Sequence, residues 1–132
     1  MTHENHTIDA AKFHHGNGAE EEADAAWHIG LFLLWCAERG LASPEHAPAD
    51  LRADPAGYLL RRCGGKLWSD DLTPAGASFA DAFYSDYLES LDDAAEDAGT
   101  TSYELRLHAD ADAIRRRLLD ALDEMYAEHQ RG

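Results

Sequence analysis

The 132-residue chain contains no valine and only three isoleucines, Ile8, Ile29 and Ile114. β-Branched residues favour strands, whereas Ala and Leu, present twenty-four and sixteen times, lead the helix scale. A sheet-dominated fold is therefore excluded. Cysteine is also scarce: Cys36 and Cys63 are the two in the chain, and neither has a CxxC or CxxH partner. The pair is expected to be reduced and to pack as small apolar side chains in a cytoplasmic protein. Long apolar runs are missing. The longest, Ala25 to Ala37, is thirteen residues and is interrupted by His28, well short of the roughly 20 that a membrane span needs. Met1 to His6 lacks the basic flank and apolar stretch of a secretory signal, so none is expected. Positive charge is short as well: 26 carboxylates face 11 Lys plus Arg, a formal net charge of −15. Such an excess repels polyanions, which argues against nucleic acid and membrane surfaces as partners.

The residues that are present spell helices. Residues 1–12 are polar and aperiodic and are expected to form a flexible N-terminal arm, leaving 13–132 as a single helical domain. A first helix opens on Glu20, Glu21, Glu22 and Asp24, carboxylates suited to its positive end, and runs to about Arg39, where Gly40 stops it. Trp27, Leu31, Leu34 and Trp35 mark one face of it, and Ile29, Phe32, Leu33 and Cys36 nearly close the circle, which makes it a central helix. One helical turn is expected at Pro44 to Ala47. Asp54-Pro55 and Thr73-Pro74 each combine an N-cap with proline at the first helical position. The former opens a short helix ended by Gly64-Gly65, the latter a long one reaching about Ala98. Phe79, Phe83 and Tyr87, with Tyr84, Leu88, Leu91 and Ala95, form its apolar stripe. A last helix spans about Asp110 to Glu128. Thr100 to Leu107 alternates apolar and polar residues and is the one stretch where an extended segment is plausible, but a lone strand cannot make a sheet, so an ordered linker is expected there. The expected class is all-α: a compact single-domain bundle of about four main helices plus one or two short ones.

Chemical signatures are sparse. Eight histidines invite a metal reading, yet no HExxH pair and no i, i+4 histidine pair occurs. His14 in a turn, His28 on the first helix and Lys66 after Gly64-Gly65 could converge on a pocket, the basis for a metal-binding, small-ligand or enzymatic role. His108-Ala109-Asp110-Ala111-Asp112 lacks the glycine and the twelfth-position carboxylate of a calcium loop. Gly64-Gly65-Lys66 lacks the preceding strand, the first glycine and the hydroxyl residue of a phosphate loop. No GxSxG elbow is present. The sequence therefore assigns no catalytic residue, no metal ligand set and no cofactor.

Charge distribution is more informative. Between Lys66 and Arg106 lie ten carboxylates and no Lys or Arg. The rest of the chain carries sixteen acids against eleven bases, so the acidity belongs mainly to the long helix and its flanks. Asp81, Glu89, Asp92, Asp93 and Glu96 would form a face for a basic protein partner, with Trp68 as an aromatic anchor.

Three blocks carry a resemblance: His28-Ile29-Gly30-Leu31-Phe32-Leu33-Leu34-Trp35, then Gly65-Lys66-Leu67-Trp68, then Gly76-Ala77-Ser78-Phe79-Ala80-Asp81-Ala82-Phe83-Tyr84. Together, as HIGxFLxW, GKL and GxxFAxxFY over residues 9 to 92, the chain resembles an uncharacterised family of small acidic bacterial proteins. Small acidic families of this kind include immunity proteins of bacterial toxin systems. The resemblance is thus compatible with an immunity role and supplies no catalytic residues.

Overall fold

The computed structural model describes residues 6–11 and 22–131. Both Asx/Thr-Pro signals open helices where the side chains demand it. Asp54 accepts a hydrogen bond from the Gly57 N–H at 3.0 Å, and Thr73 Oγ1 accepts one from the Gly76 N–H at 3.1 Å, each satisfying a donor that the first turn leaves free. In chain order the described residues form strand β1 (Thr7–Ala10), α1 (Glu22–Glu38), α2 (Pro48–Ala53), α3 (Pro55–Arg62), strand β2 (Lys66–Trp68), a 3₁₀ turn (Ser69–Asp71), α4 (Pro74–Asp97), a second 3₁₀ turn (Ser102–Glu104) and α5 (Ala111–Arg131). Helices dominate, and the fold is mostly α, as composition predicts. No helix among the described residues is long and apolar enough to cross a membrane.

Two local expectations need correction, and a third holds. Part of the expected flexible arm is a strand: β1 pairs antiparallel with β2, Asp9 opposite Leu67 and Ala10 opposite Lys66. Ladder bonds from Ala11 N to Gly65 O and from Ser69 N to His6 O, both 2.8 Å, extend the tie. The helical turn of the connector lies at α2 rather than Pro44 to Ala47, because Pro48 holds the first helical position, whereas the chain after Pro44 is closed by a turn bond from His46 N to Ser43 O at 3.0 Å. Thr100 to Leu107 is an ordered linker, as expected, and no strand: it folds into the second 3₁₀ turn and buries Leu105 completely.

Helix α1 is buried from Ala25 through Cys36 without interruption, as an all-round apolar helix must be. α3 packs on one side of it and α4 lies across another through an aromatic cluster. Phe32 meets Tyr84 edge-on at 4.9 Å between centroids, and Trp35 lies 5.0 Å from Phe79. α5 closes the bundle with Ile114, Leu118 and Leu122. Its Tyr126 ring stands edge-on to Trp35, and its Asp123 accepts the Trp35 indole N–H at 2.8 Å.

Candidate functional site

Two buried polar centres stand out against this apolar background. The first joins β1 to the two central helices. Asp9 is 5% exposed and His28 1%; His28 Nε2 lies 3.3 Å from Asp9 Oδ2, and the Tyr84 hydroxyl donates to the same oxygen at 2.6 Å. The other carboxylate oxygen accepts the Ala10 N–H at 2.8 Å. Beside them the Tyr87 hydroxyl donates to the His28 carbonyl at 2.5 Å. Asp9 reaches the interior because, as the partner of buried Leu67, it shares that residue's face of the ribbon.

Burial, with the nearby Asp9 carboxylate second, raises the Tyr84 and Tyr87 phenols well above their usual 10.0. The unfolded chain releases both protons near pH 10 while the folded chain retains them. This leaves stability unaffected below that pH and lowers it as pH rises further, since the unfolded state then binds fewer protons. Tyrosinate absorbance should accordingly contain a cooperative component that appears together with loss of helical circular dichroism. If all five tyrosines ionised smoothly in a chain that stayed helical, the assignment would fail.

The second centre gathers three separate segments. His46, 7% exposed, comes from the connector before α2, Cys63 caps the C-terminal end of α3, and Asp71 ends the first 3₁₀ turn. His46 Nδ1 lies 2.8 Å from the Tyr58 hydroxyl and its Nε2 3.0 Å from Asp71 Oδ1. Asp71 Oδ2 accepts the Trp68 N–H at 2.8 Å, and Asp71's carbonyl accepts the Ser43 N–H at 2.9 Å. The ligand atoms of His46, Cys63 and Asp71 all lie within 4.8 Å of one another. Burial, then the carboxylates of Asp71 and Glu45, hold the Cys63 thiol up at about 12, with Arg62 pulling the other way. The free Cys63 is therefore a poor nucleophile at neutral pH. Sequence inspection misses this centre, because seventeen and eight residues separate its members and no helical or motif spacing links them.

The pocket expected from His14, His28 and Lys66 is not assembled by the residues described. His14 lies outside them. His28 faces the core with Asp9, whereas Lys66 flanks Leu67 on the opposite face of the ribbon and holds its Nζ 5.4 Å from the Trp68 ring centroid. Trp68 itself is half-buried.

Asp81, Glu89, Asp92, Asp93 and Glu96 are all exposed on α4, but they do not form one patch. Asp81 lies beside His6 at 3.3 Å, near the Trp68 end, and Glu96 is fifteen residues on, roughly 22 Å along the axis. Asp93 faces α5, sharing a groove with Arg117, Asp120 and Glu124. Asp92 and Glu96 line a recess of about 460 Å³ completed by Thr100, Thr101, Tyr103 and Glu104. Within it the Ser102 hydroxyl donates to Asp92 and the Thr100 hydroxyl to Glu104, both at 2.5 Å.

These features define a small helical domain with a two-stranded ribbon, two buried polar centres and an acidic helix end. Residues 7–108 match the model of a family described as a domain of unknown function, DUF7832, and the chain belongs to that family. The matched span contains both polar centres and all of α4, and ends before α5. No curated protein and no solved structure matches the chain.

Proposed function

We propose that the protein is a non-catalytic interaction protein, in its most concrete form an immunity-type inhibitor, whose α4 takes a basic protein partner at its C-terminal end. One observation carries the reading: the acids sit where they weaken their own helix. The last turns of α4 hold Asp92, Asp93, Glu96 and Asp97 and no basic residue. A carboxylate in the last turn of a helix, as Glu96 and Asp97 are, opposes its dipole and is unfavourable by about 0.3–1 kcal/mol. Asp97 is compensated by Arg117 at 2.8 Å. Among the described residues Glu89, Asp92, Asp93 and Glu96 have no Lys or Arg partner within salt-bridge distance.

Lys or Arg side chains of a partner, entering the recess between Asp92, Glu96 and Glu104, would supply the missing positive charge and steer encounter. Trp68, about one helix length away, supplies a second, aromatic contact. The test is association with a purified basic protein, a toxin encoded by a neighbouring gene being the first candidate. Raising salt from 50 to 300 mM should slow association at least tenfold, and D92K/E96K should do the same at low salt. Association indifferent to both changes sinks the reading.

A further inference from the structure

We propose that His46, Cys63 and Asp71 form a binding site for a zinc-type divalent ion, independent of the partner surface on α4. Zinc takes nitrogen, sulfur and oxygen ligands together, and the His/Cys combination disfavours magnesium and calcium, which take oxygen. Tetrahedral bonds of about 2.0–2.3 Å put ligand atoms roughly 3.3–3.8 Å apart. His46 Nε2 and Asp71 Oδ1 are slightly closer than that, at 3.0 Å, and all three ligand atoms fall within 4.8 Å. An ion enters with side-chain shifts of about 1 Å, without moving a helix.

The supporting bonds are those a metal site uses. Tyr58 Oη at 2.8 Å from Nδ1 orients the imidazole and can accept its N–H, leaving the Nε2 lone pair for the ion. The Trp68 N–H fixes the other oxygen of Asp71. On the solvent side Glu45 Oε1 lies 3.8 Å from His46 Nε2, its side chain 68% exposed. Glu45 or water can therefore fill the fourth position. Among the described residues neither Glu45 nor Asp71 forms an ion pair with Lys or Arg, and Arg62 stacks over the Tyr58 ring, 5.7 Å from its centroid.

The experiment uses the full chain purified without a histidine tag and titrated with Co(II), then Zn(II). Wild type should bind one equivalent of Co(II) with a thiolate-to-cobalt absorption band that Zn(II) abolishes. C63S should lose the band and at least tenfold in affinity, while C36A keeps both. Zinc should also shield Cys63 from alkylation and raise the Tm of wild type but not of C63S. Far-ultraviolet circular dichroism of metal-free C63S verifies its fold; if it is disordered, the alkylation footprint on wild type decides. Less than a tenth of an equivalent bound, or a band that survives in C63S, overturns the proposal.

Discussion

Replacing Asp9 by alanine should lower the unfolding free energy by about 3–5 kcal/mol, since two buried polar groups lose their acceptor and each such loss costs about 1–3 kcal/mol. In a domain of this size that corresponds to a fall in Tm of roughly 10–20 °C. Asp9 Oδ2 receives the Tyr84 hydroxyl and approaches His28 Nε2, while Oδ1 holds the Ala10 N–H. Removing the carboxylate leaves a buried phenol and a buried imidazole without this acceptor, and the group needing a partner is expensive to strand. The loss also reaches the ribbon, because Asp9 is the buried polar side chain of β1, opposite Leu67. Tyr84→Phe removes one donor from the same oxygen and keeps the ring against Phe32, so it should cost only about 1–3 kcal/mol. Since the residues share a network, the double variant D9A/Y84F should be less destabilised than the two single effects added. Urea denaturation of the four proteins measures all of this. A D9A protein within about 1 kcal/mol of wild type would show that the network is an ornament of an already sufficient core.

How far the sequence reaches is clear from particular residues. Helix starts were legible because Asp54-Pro55 and Thr73-Pro74 act locally: cap oxygen, proline ring and first-turn donor lie within four residues. The stop at Gly40 was legible for the same reason, its φ of 72° being one that side chains with a Cβ avoid. The central position of α1 followed from the all-round apolar pattern of Trp27 to Cys36. The ribbon was illegible because its strands have four and three residues and lie more than fifty positions apart, so neither shows a period and each is held by the other. Both polar centres are hidden for a related reason: Asp9 with His28 and Tyr84, and His46 with Cys63 and Asp71, are neighbours only after the chain has folded. The charge run was visible at once, but its geometry was not. Helical rotation assigns Asp93 to the α5 groove and Asp92 with Glu96 to the recess beside the second 3₁₀ turn.

Gly30, inside the HIGxFLxW block, carries the second large effect, and two physical terms of opposite sign decide it. By helix propensity alone, Gly30→Ala in the middle of α1 should stabilise by about 1 kcal/mol. Packing opposes this. A methyl group built on Gly30 would overlap the Pro55 carbonyl oxygen and lie 2.5 Å from its carbonyl carbon and 3.0 Å from its Cβ. The obstacle is backbone at the first turn of α3, fixed by the proline ring and by the Asp54 cap, so no rotamer change relieves it. Relief requires α3 to move off α1, opening the packing around Leu59 and Tyr58, both 2% exposed or less. Overpacking of this kind costs about 1–3 kcal/mol and more where backbone must shift, so the packing term wins and a net loss of about 2 kcal/mol or more is expected. Gly76 is the parallel case, since its added methyl would overlap the Leu41 carbonyl oxygen, and Gly76→Ala should likewise destabilise. Gly40 separates crowding from backbone strain: nothing lies within 4 Å of its added Cβ, yet its φ is 72°. Gly40→Ala should therefore lose only the left-handed penalty of about 1–2 kcal/mol and leave the α1–α3 contact intact. Amide exchange in α3 distinguishes the two origins, rising in Gly30→Ala and unchanged in Gly40→Ala relative to global stability. A Gly30→Ala protein more stable than wild type would mean that α3 yields freely, and that the glycine in this block is not there for close approach.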